Sequence, residues 1–385
     1  MKERKNRISR RQFLKGAGAA AAGAAVLGVL GACGAPETAD APVTPVPAPN
    51  ATPMPEPEPT PAAPIVPAAG PSNYEGGAHV LAFASDQHAE TPGFAAWIAD
   101  QKAVYGDDLE FLAYGGDICD KAWDPTVFDA FKAVLDEAVP GRYAVTTGNQ
   151  EHKAGAPGLA GWDALGPGFI RLGEAVVTGD YIIYNFGAAA ETMVFPDEDI
   201  NALAAYLDKA PNNIPVFIVS HYPLHLSVPY SAHGIPGGTR ETKGNEKLIE
   251  VLNRHPNAVF MWGHNHTFQD PRYGTIRPAG SKFTVTESDV TKKAEINFVY
   301  ANMGSFCRGD TYGAIAEVER GGDTVTVKLY YVDTNVPMDT KESAVITYAA
   351  DGTVSADVTT SDSTNYIDMF YLAGWYDDPG FAEDY

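Results

Sequence analysis

Between Tyr74 and Trp262 the chain alternates two patterns of apolar and polar positions. Short apolar runs, as expected of buried strands, occupy His79–Ser85, Glu110–Tyr114, Tyr143–Thr147, Tyr181–Phe186, Pro215–Ser220 and Ala258–Trp262. Between several of them apolar residues recur at helical spacing, in Phe94–Tyr105, Thr126–Ala138, Asp199–Ala210 and Lys247–Arg254. Strand–helix alternation predicts an α/β layered domain. Farther on, the period changes to two. Gly313–Thr334 reads as two alternating strands around Gly321-Gly322-Asp323, and Ser343–Thr360 as another pair around Asp351-Gly352. Both are hairpin signals. No internal repeat and no second α/β domain is visible.

The chain before Tyr74 follows neither pattern. A basic start with paired Arg10 and Arg11, then Phe13 and Leu14, leads into the small, apolar run Gly16–Leu30. That run is too short and too rich in Ala and Gly to span a bilayer comfortably, and it reads as a secretory signal. The arginine pair resembles a twin-arginine export signal. Leu30-Gly31-Ala32-Cys33 resembles a bacterial lipobox, which implies cleavage before Cys33 and a diacylglycerol on its sulfur. After Cys33, proline stands at nearly every second or third place. Such a segment cannot bury enough apolar surface to fold and favours polyproline II. Extended, it reaches on the order of 100 Å, enough for a stalk. The expected organisation is a signal over 1–32, a Pro-rich disordered stalk over 33–72, the α/β domain over 73–335, and a C-terminal hairpin with an acidic aromatic tail over 336–385.

Seven of the 27 basic residues and one of the 49 acids precede Cys33, so the mature chain carries 20 basic and 48 acidic side chains, a net of −28. That sign argues against nucleic-acid or anionic-membrane binding. It leaves room for a small phosphate ester, because local cations outweigh a distant acidic surface. Cys119 and Cys307 are too few for a disulfide framework, although they can pair in an oxidising compartment.

The chemistry lies where the apolar runs stop. Val80–Ser85 ends in Asp86-Gln87-His88, Leu112–Gly115 in Gly116-Asp117-Ile118-Cys119-Asp120, and Ala144–Thr147 in Gly148-Asn149. Val216–Ser220 ends in His221, and Val259–Trp262 in Gly263-His264-Asn265-His266. Open α/β sheets place their ligand crevices at the C-terminal ends of strands. A single Asp after a strand is ordinarily a cap or turn residue. Here four of nine histidines fall at strand ends, two of them as His-x-His. Imidazole and carboxylate suit Zn, Mn or Fe, and no thiolate cluster selects a softer site.

The ordered blocks D-x-H, G-D-x-x-D, G-N, H and G-H-x-H resemble the calcineurin-like metallophosphoesterase superfamily over roughly Val80–Val332. The resemblance implies a four-layer α/β/β/α sandwich, here with C-terminal β-hairpins, and a centre of two divalent or transition-metal ions. By that resemblance Asp86, His88 and His266 hold one ion, Asn149, His221 and His264 the other, and Asp117 bridges them. Ions roughly 3.5–4 Å apart share an anionic oxygen and acidify a bridging water that attacks phosphorus in line.

One block departs from the family. Where Gly-Asn-His is usual, this chain has Gly148-Asn149-Gln150-Glu151-His152. The family's histidine assists the leaving group and is oriented by the second Asp of G-D-x-x-D, here Asp120. Gln150 can donate a hydrogen bond but cannot shuttle a proton. Either His152 takes over or the metals act alone. The expected function is hydrolysis of a small phosphate ester, monoester or diester, by an exported protein that touches the membrane only through its lipid. The alternative is a metal- or phosphate-binding protein that has lost catalysis. Tyr222, His225, His233, Arg240 and Arg308 are weaker candidates for a substrate pocket, each more readily explained as structural.

Overall fold

A computed structural model describes residues 66–67, 78–120, 124–166, 169–187, 194–224, 244–264, 266, 276–287, 290–307, 311–333 and 343–359. Its strands are β1 (Val66–Pro67), β2 (His79–Ala84), β3 (Leu109–Tyr114), β4 (Tyr143–Val145), β5 (Phe169–Ile170), β6 (Ala175–Val177), β7 (Ile182–Asn185), β8 (Val216–Ser220) and β9 (Ala258–Trp262). They continue as β10 (Ile276–Arg277), β11 (Lys282–Glu287), β12 (Val290–Glu295), β13 (Val299–Asn302), β14 (Gly304–Ser305), β15 (Tyr312–Gly321), β16 (Thr324–Asp333), β17 (Ser343–Tyr348) and β18 (Val354–Thr359). The helices are α1 (Thr91–Tyr105), α2 (Pro125–Ala138), α3 (Asn149–Lys153), α4 (Gly155–Asp163), α5 (Asp197–Leu207) and α6 (Asn245–Asn253).

Two large sheets result. One runs β1-β6-β7-β8-β9-β13-β10, the other β18-β17-β16-β15-β2-β3-β4-β5 with β14 against β15. β2, β3 and β4 are parallel, as are β7, β8, β9 and β13. Parallel neighbours need crossovers, and α1 and α2 supply them on one sheet as α5 and α6 do on the other. The two hairpins read from Gly321-Gly322-Asp323 and Asp351-Gly352 are β15–β16 and β17–β18. β15 pairs antiparallel with β2, so both hairpins extend the second sheet.

The side-chain alternation of β2 shows how the layers stack. Leu81 and Phe83 join a core shared with β7, β8 and β9, whereas Val80, Ala82 and Ala84 join a second core. That second core holds Phe94, Trp97 and Ile98 of α1 with Phe128, Phe131 and Leu135 of α2. On the far side, Ile200, Leu203 and Leu207 of α5 and Leu248 and Leu252 of α6 close the core of the first sheet. Sheets that are apolar on both faces need covering on both, which yields helix, sheet, sheet, helix.

Local chemistry fixes the helix starts. Asp124 accepts the Thr126 amide at 2.9 Å, with Pro125 opening α2. Asp197, Glu198 and Asp199 fill the first turn of α5, where the helix dipole favours acids. This moves its start two residues ahead of the periodic run. Among the described residues no helix is long and apolar enough to cross a membrane. Cys33, the proline-rich stretch other than Val66–Pro67 (β1), His225, His233, Arg240, Arg308 and the C-terminal tail lie outside the described residues.

Candidate metal centre

The C-terminal ends of β2, β3 and β4 in one sheet and of β8 and β9 in the other deliver their polar residues to one place. Three groups of metal-capable atoms form there, each with its atoms within 4.8 Å of one another. One comprises Asp86, His88, Asp117 and His266, another Asp117, His221 and His264, and a third His88, His266 and Cys307. Asp117 belongs to the first two. Its Oδ2 lies 3.3 Å from His88 Nε2 and its Oδ1 3.6 Å from His221 Nε2. His266 Nε2 lies 3.0 Å from Asp86 Oδ1, and Asn149 Oδ1 lies 3.0 Å from His221 Nε2. All seven residues read from the sequence as ligands are therefore gathered at this site.

The backbone is strained at these positions. Asp86, His88, Asp117, His264 and His266 have φ of 59°, 44°, 55°, 76° and 46°, and among the described residues Ala89 is the one other non-glycine residue at positive φ. Left-handed backbone costs energy for residues with a Cβ and collects where function requires it. Close approach is needed as well. A Cβ on Gly148 would stand 2.1 Å from Asp117 Oδ1, and one on Gly116, itself at φ 88°, would stand 2.5 Å from Gly148 N. The G-D and G-N turns are packed backbone to backbone.

A surrounding set of hydrogen bonds orients the donors. His221 Nδ1 lies 2.6 Å from Gly115 O, which makes Nδ1 the protonated nitrogen and turns the Nε2 lone pair inward. The His264 amide donates to Asp86 Oδ2 at 2.7 Å, and the Gln150 amide to Asp117 Oδ1 at 2.8 Å. Glu151, fully buried, accepts four main-chain amides: Asp117 at 2.9 Å, Ile118 at 2.7 Å, Cys119 at 3.1 Å and Gly148 at 2.8 Å. One carboxylate thus ties the loop bearing Asp117 to the loop bearing Asn149. Sequence reading assigned Glu151 no role, because four of its hydrogen bonds come from main-chain amides, which leave no side-chain signature.

The electrostatics call for positive charge. Burial works to raise the Asp117 carboxyl, yet His221 and His88 beside it hold it well below the usual carboxylate range. Asp86 is likewise buried and likewise held down, by His266. Burial opposes a charge on His88, but Asp117 and Asp86 outweigh it and push its pKa up to about 9. Glu151 is pushed up by burial and by Asp117, against the amides it accepts. Buried carboxylates here recruit a proton onto His88, a place a divalent cation would fill. The oxygen and nitrogen donors, their convergence and the shared Asp117 fit two such ions.

The predicted catalytic residues lie at the edge of the cluster. Asp120, with its side chain 52% exposed, places Oδ1 3.5 Å from His88 Nδ1. Gln150 is buried, and its main-chain N–H donates to Asp117 Oδ1. His152 directs Nε2 toward Thr147 Oγ1 at 3.3 Å. Tyr222 is buried edge-on against His221 and His264, with ring centroids 4.9 Å away in both cases. Cys119 and Cys307 are free thiols, the first beside Glu151, the second 3.3 Å from His266 Nδ1.

Residues 7–28 match the family of twin-arginine translocation pathway signal sequences, which marks the chain for export across the membrane. No curated protein matches the chain. Among solved structures it is similar to a 5'-nucleotidase precursor from Thermus thermophilus, at 11% identity and TM-score 0.37, covering 78% of this chain and 59% of that one. It is also similar to NAD nucleotidase from Haemophilus influenzae, at 11% identity and TM-score 0.36, covering 73% of this chain and 55% of that one. The chain thus spans little more than half the length of these two nucleotidases. A protein serine/threonine phosphatase from Saccharomyces cerevisiae is similar at 10% identity and TM-score 0.30, covering 74% of this chain and 80% of that one.

Proposed function

We propose that this chain is a calcineurin-like metallophosphoesterase that hydrolyses a small phosphate ester at a two-metal centre. One observation carries this reading: the two oxygens of Asp117 face two separate histidine groups, at 3.3 Å from His88 and 3.6 Å from His221. Asp86, His88 and His266 hold one ion and Asn149, His221 and His264 the other, with Asp117 common to both. When bound, such ions neutralise phosphoryl oxygens and acidify the attacking water. The chain's own contribution is preorganisation. Glu151 fixes both loops through main-chain amides, and Gly115 O fixes the tautomer of His221. Mn, Fe and Zn all suit this donor set.

The signal sequence directs export, and the Leu30–Cys33 motif supports a lipid anchor on the outer side of the cytoplasmic membrane. On this reading Cys33→Ser releases the protein into the aqueous phase of a detergent extraction, while wild type stays with detergent.

Gln150 motivates a second reading, a binder of metal or phosphate without turnover. Paired assays on metal-loaded protein, one with an aryl phosphate monoester and one with a diester, separate the two. Metal-dependent cleavage of either ester, lost in Asp117→Asn, supports the enzyme. Binding of metal and phosphate with neither ester cleaved supports the binder.

A further inference from the structure

We propose that Cys307 is a positioning residue of this centre: its sulfur holds Nδ1 of His266 and so keeps the Nε2 of that ring turned toward Asp86. The inference rests on the metal reading above and assigns a group that no strand-end motif contains.

Three histidines of the cluster each have a separate group at Nδ1. For His221 it is the Gly115 carbonyl at 2.6 Å, for His88 the Asp120 carboxylate at 3.5 Å, and for His266 the Cys307 sulfur at 3.3 Å. An imidazole offers a lone pair from one nitrogen when the other carries the proton, and the group facing that proton sets the ring's orientation. His266 Nε2 is the inward atom, 3.0 Å from Asp86 Oδ1. With a metal ion taken up at Nε2, Nδ1 would be the proton-bearing atom and Cys307 Sγ would accept from it.

The sulfur is held where this requires. Cys307 is buried, just past β14, on the chain that leaves the C-terminal end of β13, the parallel neighbour of β9. The preceding Phe306 amide donates to Asp86 O at 3.2 Å, so the segment is tied to the D-x-H loop. Ser305 Oγ lies 3.5 Å from Cys307 Sγ and accepts the Cys307 amide at 3.5 Å. The same sulfur also lies within 4.8 Å of a ring nitrogen of His88. Direct ligation is therefore the competing role, and the test must separate the two.

The experiment titrates metal-free full-length protein with Co²⁺ against a competing chelator and records the visible spectrum. It compares wild type with Cys307→Ser, which keeps an acceptor, and with Cys307→Ala and Cys307→Val, which do not. Val also fills the space. The expected result is that Ala and Val weaken one of the two sites by about 10- to 100-fold and leave the other unchanged. Ser should retain most of the affinity, and the wild-type spectrum should lack a thiolate-to-cobalt band. Wild-type affinity in the Val variant overturns the proposal, as does a thiolate band in wild type. A wild type that takes up no cobalt overturns the metal reading itself, an outcome distinct from either.

Discussion

His88 and His266, 178 residues apart in sequence, bring their Nε2 atoms to 3.0 Å of one another with rings nearly perpendicular at 83°. His221 Nε2 and His264 Nδ1 repeat the arrangement at 3.1 Å. A proton shared within such a pair uses one lone pair at each end and leaves the nearby carboxylates only partly compensated. A cation held by these residues would answer both lone pairs and the nearby carboxylates. The two imidazole pairs share Asp117, and the predictions below start from that unit.

Glu151→Gln should loosen the site from behind. The substitution keeps the shape but turns an amide nitrogen toward main-chain N–H groups that now meet an oxygen. Donors left unpaired in a buried place cost about 1–3 kcal/mol. Urea unfolding should show that loss, and metal affinity should fall with it, because the Asp117 and Asn149 loops are no longer tied together.

Much of this site is legible in the sequence, for a physical reason. A buried apolar run that stops at Asp86, Asp117, Asn149, His221 or His264 marks both a strand and the end of the sheet where its side chains emerge. What the sequence hides is whatever acts through main chain or across long separations. Glu151 chiefly binds main-chain amides, which carry no side-chain signature in the sequence. Cys307 follows β13, whose four residues are too few for a periodic signal. Asp120, expected to serve the G-N block, stands beside His88. The five-residue helix α3, the helix α4 with its several Gly and Pro157, and the two- and three-residue strands β5, β6 and β10 are held by packing and pairing, without a periodic pattern of their own.

A second buried cluster predicts pH-dependent stability. His79 sits between Glu110 at 2.5 Å and Asp180 at 3.0 Å, and Arg320 also bonds Asp180. The Glu110 hydrogen bond, against burial and with help from Asp180, raises the His79 pKa. Its contribution is therefore full below about pH 6.5 and is lost as pH rises through the raised value. Asp180 is held down, against burial, by Arg320 and His79, so its share is lost as pH falls below the ordinary carboxylate range of about 4. His79→Gln should then cost most near pH 5, about 1.5–3 kcal/mol, and less at pH 9. Urea denaturation at the two pH values checks this. An equal cost at both would show that the imidazolium charge is not what matters.

Gln150 predicts an unusual dependence on the leaving group. A nitrophenolate departs without a proton, whereas an alkoxide gains about 100- to 10,000-fold from a general acid. His152 faces Thr147 Oγ1 and Gln150 cannot supply a proton, so the wild-type rate should fall steeply as leaving-group pKa rises. Gln150→His should raise the alkyl rate more than the aryl rate. Rates across a series of phosphate esters measure both slopes. A shallow wild-type slope that His152→Ala steepens would identify His152 as the acid instead.

The most direct test is the rate of nitrophenyl phosphate hydrolysis as metal-free protein is titrated with Mn²⁺, Fe²⁺ or Zn²⁺, with elemental analysis of the loaded protein. Wild type should rise to a plateau at two ions per chain. His88→Ala should retain one ion, and Asp117→Asn should lose the plateau because both sites share that residue. A wild type that binds no metal, or that stays at the background rate at every metal load, would contradict the assignment of a two-metal phosphoesterase.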